Sequence, residues 1–312
     1  MTRVKIGIIG NGVIAGYYLA AIKQNSNIRL VSVCDTNPKK LLEFSDGVAC
    51  YTNYHDMLNT GFLDAVIINV SNDQHYQICK DVMNANIHVC CEKPLTTQLS
   101  QAKELSEIAR INNVVLFTAF HRRYNKNFLE LKQKINTKSI AKLTVNYLEN
   151  ITDHIGNDPW YLQPNKCGGG CIIDNGSNAF DMVVNLIGPV AIIKSHIEWD
   201  DKINIRAQIT LFSQQTYGVE VNLDWGYELG EKKGAYIFME DGQIFYFDML
   251  KDFPEFKSSL FHEYESVLYD FVQKTKQGQC FGEEGLAIAE LVENCYSMST
   301  DFPASQGGFD GE

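Results

Sequence analysis

The chain has 312 residues, a formal net charge of −11 and 45% hydrophobic residues, with 21% charged and 11% aromatic. That length exceeds one ordinary domain, and the composition is that of a folded protein with a real core, not of a disordered one. Residues 1–150 carry 17 basic and 12 acidic side chains against 10 and 26 in residues 151–312, so a basic half is joined to an acidic one. No dense Lys/Arg stripe exists for nucleic acid, and no apolar run reaches the ~20 residues of a membrane helix. The N-terminus enters a strand directly, without an apolar stretch and cleavage site, so a cytoplasmic protein is expected. The nine cysteines are mostly embedded in apolar segments, which fits packed thiols better than a disulfide framework. Cys167 and Cys171 have a C-x3-C spacing, but no second Cys/His pair is near in sequence, and no metal site is expected.

From the start, short apolar runs alternate with amphipathic stretches. Val4–Ile9 reads as a buried strand, 13–24 as a helix, Leu30–Cys34 as a strand, and 37–45 as a short helix after Asn37-Pro38. Ala65–Val70 is a strand, and a helix follows from about Gln74 to Asn84, with Asn72 or Asp73 as its cap. Ile87–Cys91 is a strand, 98–111 a helix and Val114–Ala119 a strand. This repeated β-α-β pattern predicts a doubly wound parallel sheet of Rossmann type over residues 1–121. After about residue 122 the rhythm changes to a helix at 126–135 and strands at 141–150, 190–198, 203–213, 216–225, 235–240 and 243–249. Asp241-Gly242 marks a hairpin between the last two. Helices are predicted at 178–187, 260–277 and 284–300, and the tail 301–312 reads as unstructured. Residues 122–312 are therefore expected to form one α+β domain with an open, mostly antiparallel sheet.

The first β-α turn, Gly10-Asn11-Gly12-Val13-Ile14-Ala15, matches G-x-G-x-x-A. Gly10 permits a tight turn, Gly12 lets backbone approach a diphosphate, and Ala15 lets helix and sheet close up. The diphosphate then lies on the helix N-terminus. Asp35 follows at the end of the second strand, 20 residues beyond Ala15. An acid there accepts from ribose hydroxyls and repels a 2′-phosphate, which favours NAD over NADP, while Lys39 and Lys40 keep NADP open.

Four further blocks resemble one family, the glucose–fructose oxidoreductase, inositol dehydrogenase and MocA (Gfo/Idh/MocA) group. Asp64-Ala65-Val66-Ile67-Ile68-Asn69-Val70-Ser71-Asn72-Asp73-Gln74-His75 is similar to its D-A-V-x-I-x-T-P-N-x-x-H joint, with Val70-Ser71 for Thr-Pro. Glu92-Lys93-Pro94 is its E-K-P signature, and His121-Arg122-Arg123-Tyr124-Asn125 resembles its segment at the domain junction. Residues 168–181, GGGCIIDNGSNAFD, resemble G-G-G-x-x-x-D-x-G-x-H-x-x-D, and Gly282-Glu283-Glu284-Gly285 also fits. The resemblance implies an NAD(P)-dependent oxidoreductase acting on a ring hydroxyl of a sugar, sugar derivative or cyclitol. It also implies a homodimer or homotetramer associating through the second-domain sheet, with cofactor contacts from Ser71, Asn72, His75, Glu92, Lys93 and His121.

Oxidising an alcohol requires a group that removes the hydroxyl proton. Lys93 is placed for this at the mouth of a buried strand and is held extended by Pro94. Glu92 would hold the ribose or position Lys93. Asp174 and Asn178 are spaced i, i+4 and share a helix face, which Asp181 continues. The family has a histidine where this chain has Asn178, and asparagine can only hydrogen-bond. Three outcomes stay open: Lys93 handles the proton alone, His154 substitutes, or catalysis is lost. The last would make the chain a non-catalytic NAD-binding regulator, a kind that the family includes in a yeast galactose-pathway repressor. Trp160 and Tyr161 could stack on a sugar ring or pack in the core, and Arg122 and Arg123 could meet an anionic substrate group or form ion pairs.

Overall fold

The structure, a computed structural model, describes residues 3–44, 47–155, 159–216, 218–253 and 258–299. The side chain of His154 and the tail 301–312 lie outside the described residues. The chain divides into two compact units.

The first unit opens with β1 (Val4–Ile9), α1 (Val13–Gln24), β2 (Ile28–Cys34), β3 (Ala49–Tyr51), α2 (Tyr54–Leu58) and β4 (Ala65–Ile68). It continues with α3 (Asn72–Asn84), β5 (His88–Glu92), α4 (Leu99–Ile111) and β6 (Leu116–Ala119). The sheet order is β3-β2-β1-β4-β5-β6, parallel throughout. The order reverses between β1 and β4, and the crevice outside the carboxyl ends of strands at such a point is where ligands bind in open α/β sheets. β3 escaped the sequence pattern because it has only three residues and its Ala49 and Cys50 are exposed.

Alternate residues of β1 point to opposite faces and enter separate cores. Ile6 and Ile8 pack with Tyr18, Val33, Ile67 and Phe117, whereas Ile9 packs with Val66, Ile68, Val82 and Leu105. The first of these cores also takes Leu260, Tyr264, Val267, Leu268 and Phe271 from a helix late in the chain (Leu260–Gln277). The compact units therefore run over residues 1–125 with 253–289, and over 126–252 with 290–312. This differs from a single boundary at 121/122. The reason is the sheet face beside α1, which needs a second apolar cover that the chain supplies only after building its second sheet.

The second unit begins with α5 (Lys126–Lys134) and β7 (Ile140–Leu148). Short helices α6 (Ile151–Ile155) and α7 (Pro164–Cys167) then lead to α8 (Cys171–Ile187). β8 (Ala191–Asp200), β9 (Ile203–Phe212), β10 (Gly218–Asp224), β11 (Lys232–Met239) and β12 (Ile244–Asp248) follow. The helix that returns to the first unit is α9, and α10 (Glu283–Ser297) is the last element. The order β12-β11-β7-β10-β9-β8 is antiparallel except for the β7–β10 pair, and Asp241-Gly242 turns between β11 and β12 as the hairpin signal predicts.

α8 starts seven residues before the predicted 178, and its residues Cys171 to Val183 are all buried. A helix buried all round shows no amphipathic onset, so the periodicity only emerges late. Its start is set by Asn204 of β9. The Asn204 Oδ1 accepts from the Ile172 backbone N–H at 2.8 Å, and its Nδ2 donates to the Gly169 carbonyl at 2.8 Å. This close approach excludes any side chain at Gly170. The residue has φ +134°, and a Cβ there would lie 2.3 Å from the Asn204 backbone oxygen. Gly170→Ala is therefore expected to cost about 3 kcal/mol or more in a urea titration, since neither backbone can yield. A loss below about 1 kcal/mol would contradict the packing described.

Candidate active site

The turn after β1 has the features an anion cradle needs. Gly10 has φ +90°, and a Cβ on it would sit 2.5 Å from the Asn69 carbonyl oxygen, so only glycine fits. Around Gly12, the N-cap of α1, nothing lies within 4 Å of a built Cβ, and no side chain caps the helix. The free N–H groups of the first turn thus face open space, as a diphosphate requires. Val13 is 58% exposed beside that space, and Ile14 is half-buried and packs against the first core.

Asp35 stands just past β2 and is held on both oxygens. Its Oδ2 accepts from the Asn11 backbone N–H at 2.8 Å, and its Oδ1 accepts from the Asn37 N–H at 2.8 Å. The Asn11 side chain donates to the Lys40 carbonyl and the Glu43 carboxylate, so it braces the turn. Lys40 Nζ lies 3.6 Å from Asp35 Oδ2 with its own side chain half exposed, a weak pair that leaves the acid's charge largely in place. The glycine cradle and the oriented acid both fit a dinucleotide with free ribose hydroxyls.

Ser71 is the N-cap of α3 and turns its hydroxyl to Asp73, donating at 2.6 Å, while Asn72 is buried at the first helical position. His75 is fully buried, with Nδ1 2.7 Å from the Pro94 carbonyl and Nε2 3.2 Å from the Val70 carbonyl. Burial holds its pKa below the ordinary value, so the ring is neutral and its one N–H goes to one of two carbonyls. It ties the β4–α3 joint to the loop after β5.

Glu92 closes β5, and a cis peptide links Lys93 to Pro94. Both carboxylate oxygens of Glu92 are engaged, by the Tyr18 hydroxyl at 2.9 Å and the Tyr264 hydroxyl at 3.3 Å. Burial pushes this carboxyl up to about 7 against the pull of Tyr18 and Lys93. The charge of Lys93 also lowers the pKa of both His75 and His121. His121 is buried, stacks on Tyr264 at 5.2 Å, and donates Nδ1–H to Glu263 at 2.6 Å. Burial and the neighbouring Arg122 hold it down at about 4. The ring is neutral and committed to Glu263. Arg122 pairs with Glu263 and Arg123 with Glu284, so both arginines are ion-pair residues.

In the second unit α8 carries Asp174, Asn178 and Asp181, all buried. Asn178 Nδ2 donates to the Tyr147 hydroxyl of β7 at 3.3 Å, and its buried Oδ1 has no hydrogen-bond partner among the described residues. Trp160 and Tyr161 stack on each other with centroids 3.9 Å apart. Among the described residues no group of three or more His, Cys, Asp or Glu side chains could hold a metal ion, and no helix is long and apolar enough to cross a membrane.

Residues 4–120 match the model of an oxidoreductase family with an NAD-binding Rossmann fold, the Gfo/Idh/MocA family. Over these residues the chain is similar to that family. It is 28% identical over 187 residues to the myo-inositol 2-dehydrogenase of Thermotoga maritima, covering 59% of this chain and 55% of that one. The match spans about half the length of the curated relatives. Among solved structures, GenD2 from gentamicin A biosynthesis in complex with NAD superposes with a TM-score of 0.86 at 16% identity, covering 96% and 95% of the two chains. The D-galactose-1-dehydrogenase of Rhizobium etli gives 0.81 at 22%, covering 96% of each. At these identities the two structures show the fold, and they show it over nearly the whole chain. Sequence reasoning missed Tyr18, Tyr264, Glu263, Tyr147 and Asn204, since each looks like an ordinary helix or strand residue until its partner is known.

Proposed function

We propose that the protein is an NAD-dependent oxidoreductase that interconverts a secondary ring alcohol and a ketone on a sugar, amino sugar, nucleotide sugar or cyclitol. The observation carrying this is the gathering, at the carboxyl ends of β1, β2 and β5, of the phosphate turn, Asp35 and Lys93. The Gly10–Ile14 turn would hold the diphosphate of NAD and Asp35 its ribose, and the bound nicotinamide would supply the hydride acceptor. The substrate hydroxyl proton passes to Lys93 Nζ, an amine able to take it when unprotonated. Asn178 cannot accept a proton, but its buried Oδ1 lacks a partner and suits the hydrogen of a substrate hydroxyl. Asp174, Asn178 and the stretch 150–165, which includes His154, set substrate choice. The enzyme is read as cytoplasmic and homo-oligomeric, a dimer or tetramer through the open sheet, whose far side exposes Tyr236, Ile244 and Tyr246.

The test is purified protein with NAD and a panel of inositols, sugars, amino sugars and nucleotide sugars, followed by NADH absorbance. Turnover with at least one ring alcohol is expected, with NAD preferred to NADP. Asn178 favours one second reading, a non-catalytic NAD-binding regulator. Tight NAD binding without turnover across the whole panel would select it.

A further inference from the structure

We infer that Glu92 is a positioning residue for Lys93, a carboxyl clamped between Tyr18 and Tyr264 that sets the charge on the lysine, and not a ligand of the cofactor ribose. This rests on the role proposed for Lys93. The clamp comes from two helices far apart in sequence, α1 and α9. Tyr18 and Tyr264 are both fully buried, and their rings meet edge to face at 4.8 Å, so the two hydroxyls cannot wander from the carboxyl they serve. A phenol has one proton to donate, and each spends it here: Tyr18 on Oε1, Tyr264 on Oε2. Glu92 is 7% exposed, so these two phenols, and not solvent, surround its carboxyl.

The groups around the carboxyl are Tyr18 from α1, Tyr264 from α9, Cys90 from β5 and Lys93, while Cys91 packs in the core on the other face of the sheet. Lys93 is the only cation among them, and it acts twice, through a backbone hydrogen bond and through its charge. Behind Tyr264, His121 is held neutral against Glu263, so that side adds no positive charge. An ionised Glu92 stabilises the ammonium that Lys93 becomes when it takes the substrate proton. A protonated Glu92 withdraws that support. With the carboxyl raised to about 7, the switch between the two falls in the neutral range, and oxidation should speed up as pH rises through it.

Glu92→Gln keeps shape and acceptor while removing the charge. We expect kcat to fall about 10- to 100-fold, with KM and the NAD dissociation constant each within about threefold. The limb of the kcat–pH profile near neutrality should vanish. Tyr264→Phe removes one donor to the carboxylate, so it should retain activity and move that limb to higher pH. A Glu92→Gln variant that binds NAD more than tenfold worse with an unchanged pH profile would make Glu92 a cofactor ligand and overturn the inference. So would wild-type kcat with the limb intact. If the wild type turns over nothing on the panel, the functional reading fails separately. The inference is then decided by following Lys93 with isotope-labelled lysine in NMR titrations. Glu92→Gln should move the Lys93 transition down by about one pH unit or more, and an unmoved transition refutes the coupling.

Discussion

Glu263→Gln is expected to destabilise the first unit by about 3–5 kcal/mol at neutral pH, the range for removing one partner of a buried ion pair. Glu263 is fully buried and accepts from three donors, His121 Nδ1 at 2.6 Å, Arg122 Nη1 at 3.1 Å and Asn125 Nδ2 at 2.6 Å. Burial alone would raise its pKa, but Arg122, His121 and Asn125 together hold it down at about 2. Against an ordinary glutamate value near 4.3, that corresponds to about 3 kcal/mol. The amide of Gln brings no charge for the buried Arg122 guanidinium, and its NH2 opposes one of the donors that the carboxylate accepted. The sign of the pH dependence follows. A carboxyl whose folded value lies below its unfolded one contributes fully above about 4.3 and loses that contribution as pH falls toward 2. Urea titrations at pH 7 and pH 3 should therefore show the gap between wild type and variant narrowing in acid. An equal gap at both values would mean that the charge of Glu263 does not stabilise the fold.

That cluster also marks where sequence stops informing. The phosphate turn and Asp35 were legible because their constraints are local: a positive φ at Gly10, an uncapped helix start at Gly12, an acid at the end of the next strand. Lys93 was legible for the same reason, since its place depends only on the end of β5 and the proline after it. The carboxyl beside it was not. Glu92 meets partners 74 and 172 residues away, and nothing in an amphipathic helix such as α9 names the sheet face it will cover. Asn204 is a comparable case, a mid-strand asparagine whose work is to fix the start of a helix 32 residues earlier. His75 and His121 have the residue type of ligands and the positions of braces. Only their hydrogen bonds to carbonyls and to Glu263 separate the two uses.

Lys93→Ala is expected to reduce turnover by about a thousandfold while leaving the NAD dissociation constant within about threefold of wild type. The separation of the two effects follows from where the parts lie. The diphosphate cradle is backbone at Gly10–Gly12 and is braced by Asp35, Asn11 and Lys40, none of which involves Lys93. Proton transfer has no comparable substitute in the corner. His75 and His121 are neutral with their ring N–H groups committed, and Glu92 is enclosed by two tyrosines. Lys93→Arg separates proton handling from charge alone. A guanidinium keeps the positive charge but does not give up its proton at any working pH, so it cannot accept one from the substrate. Both variants should be inactive under conditions where they still bind NAD. An active Lys93→Arg would reduce Lys93 to an electrostatic role, and an active Lys93→Ala would remove it from the chemistry and return the proton to a residue of the second unit.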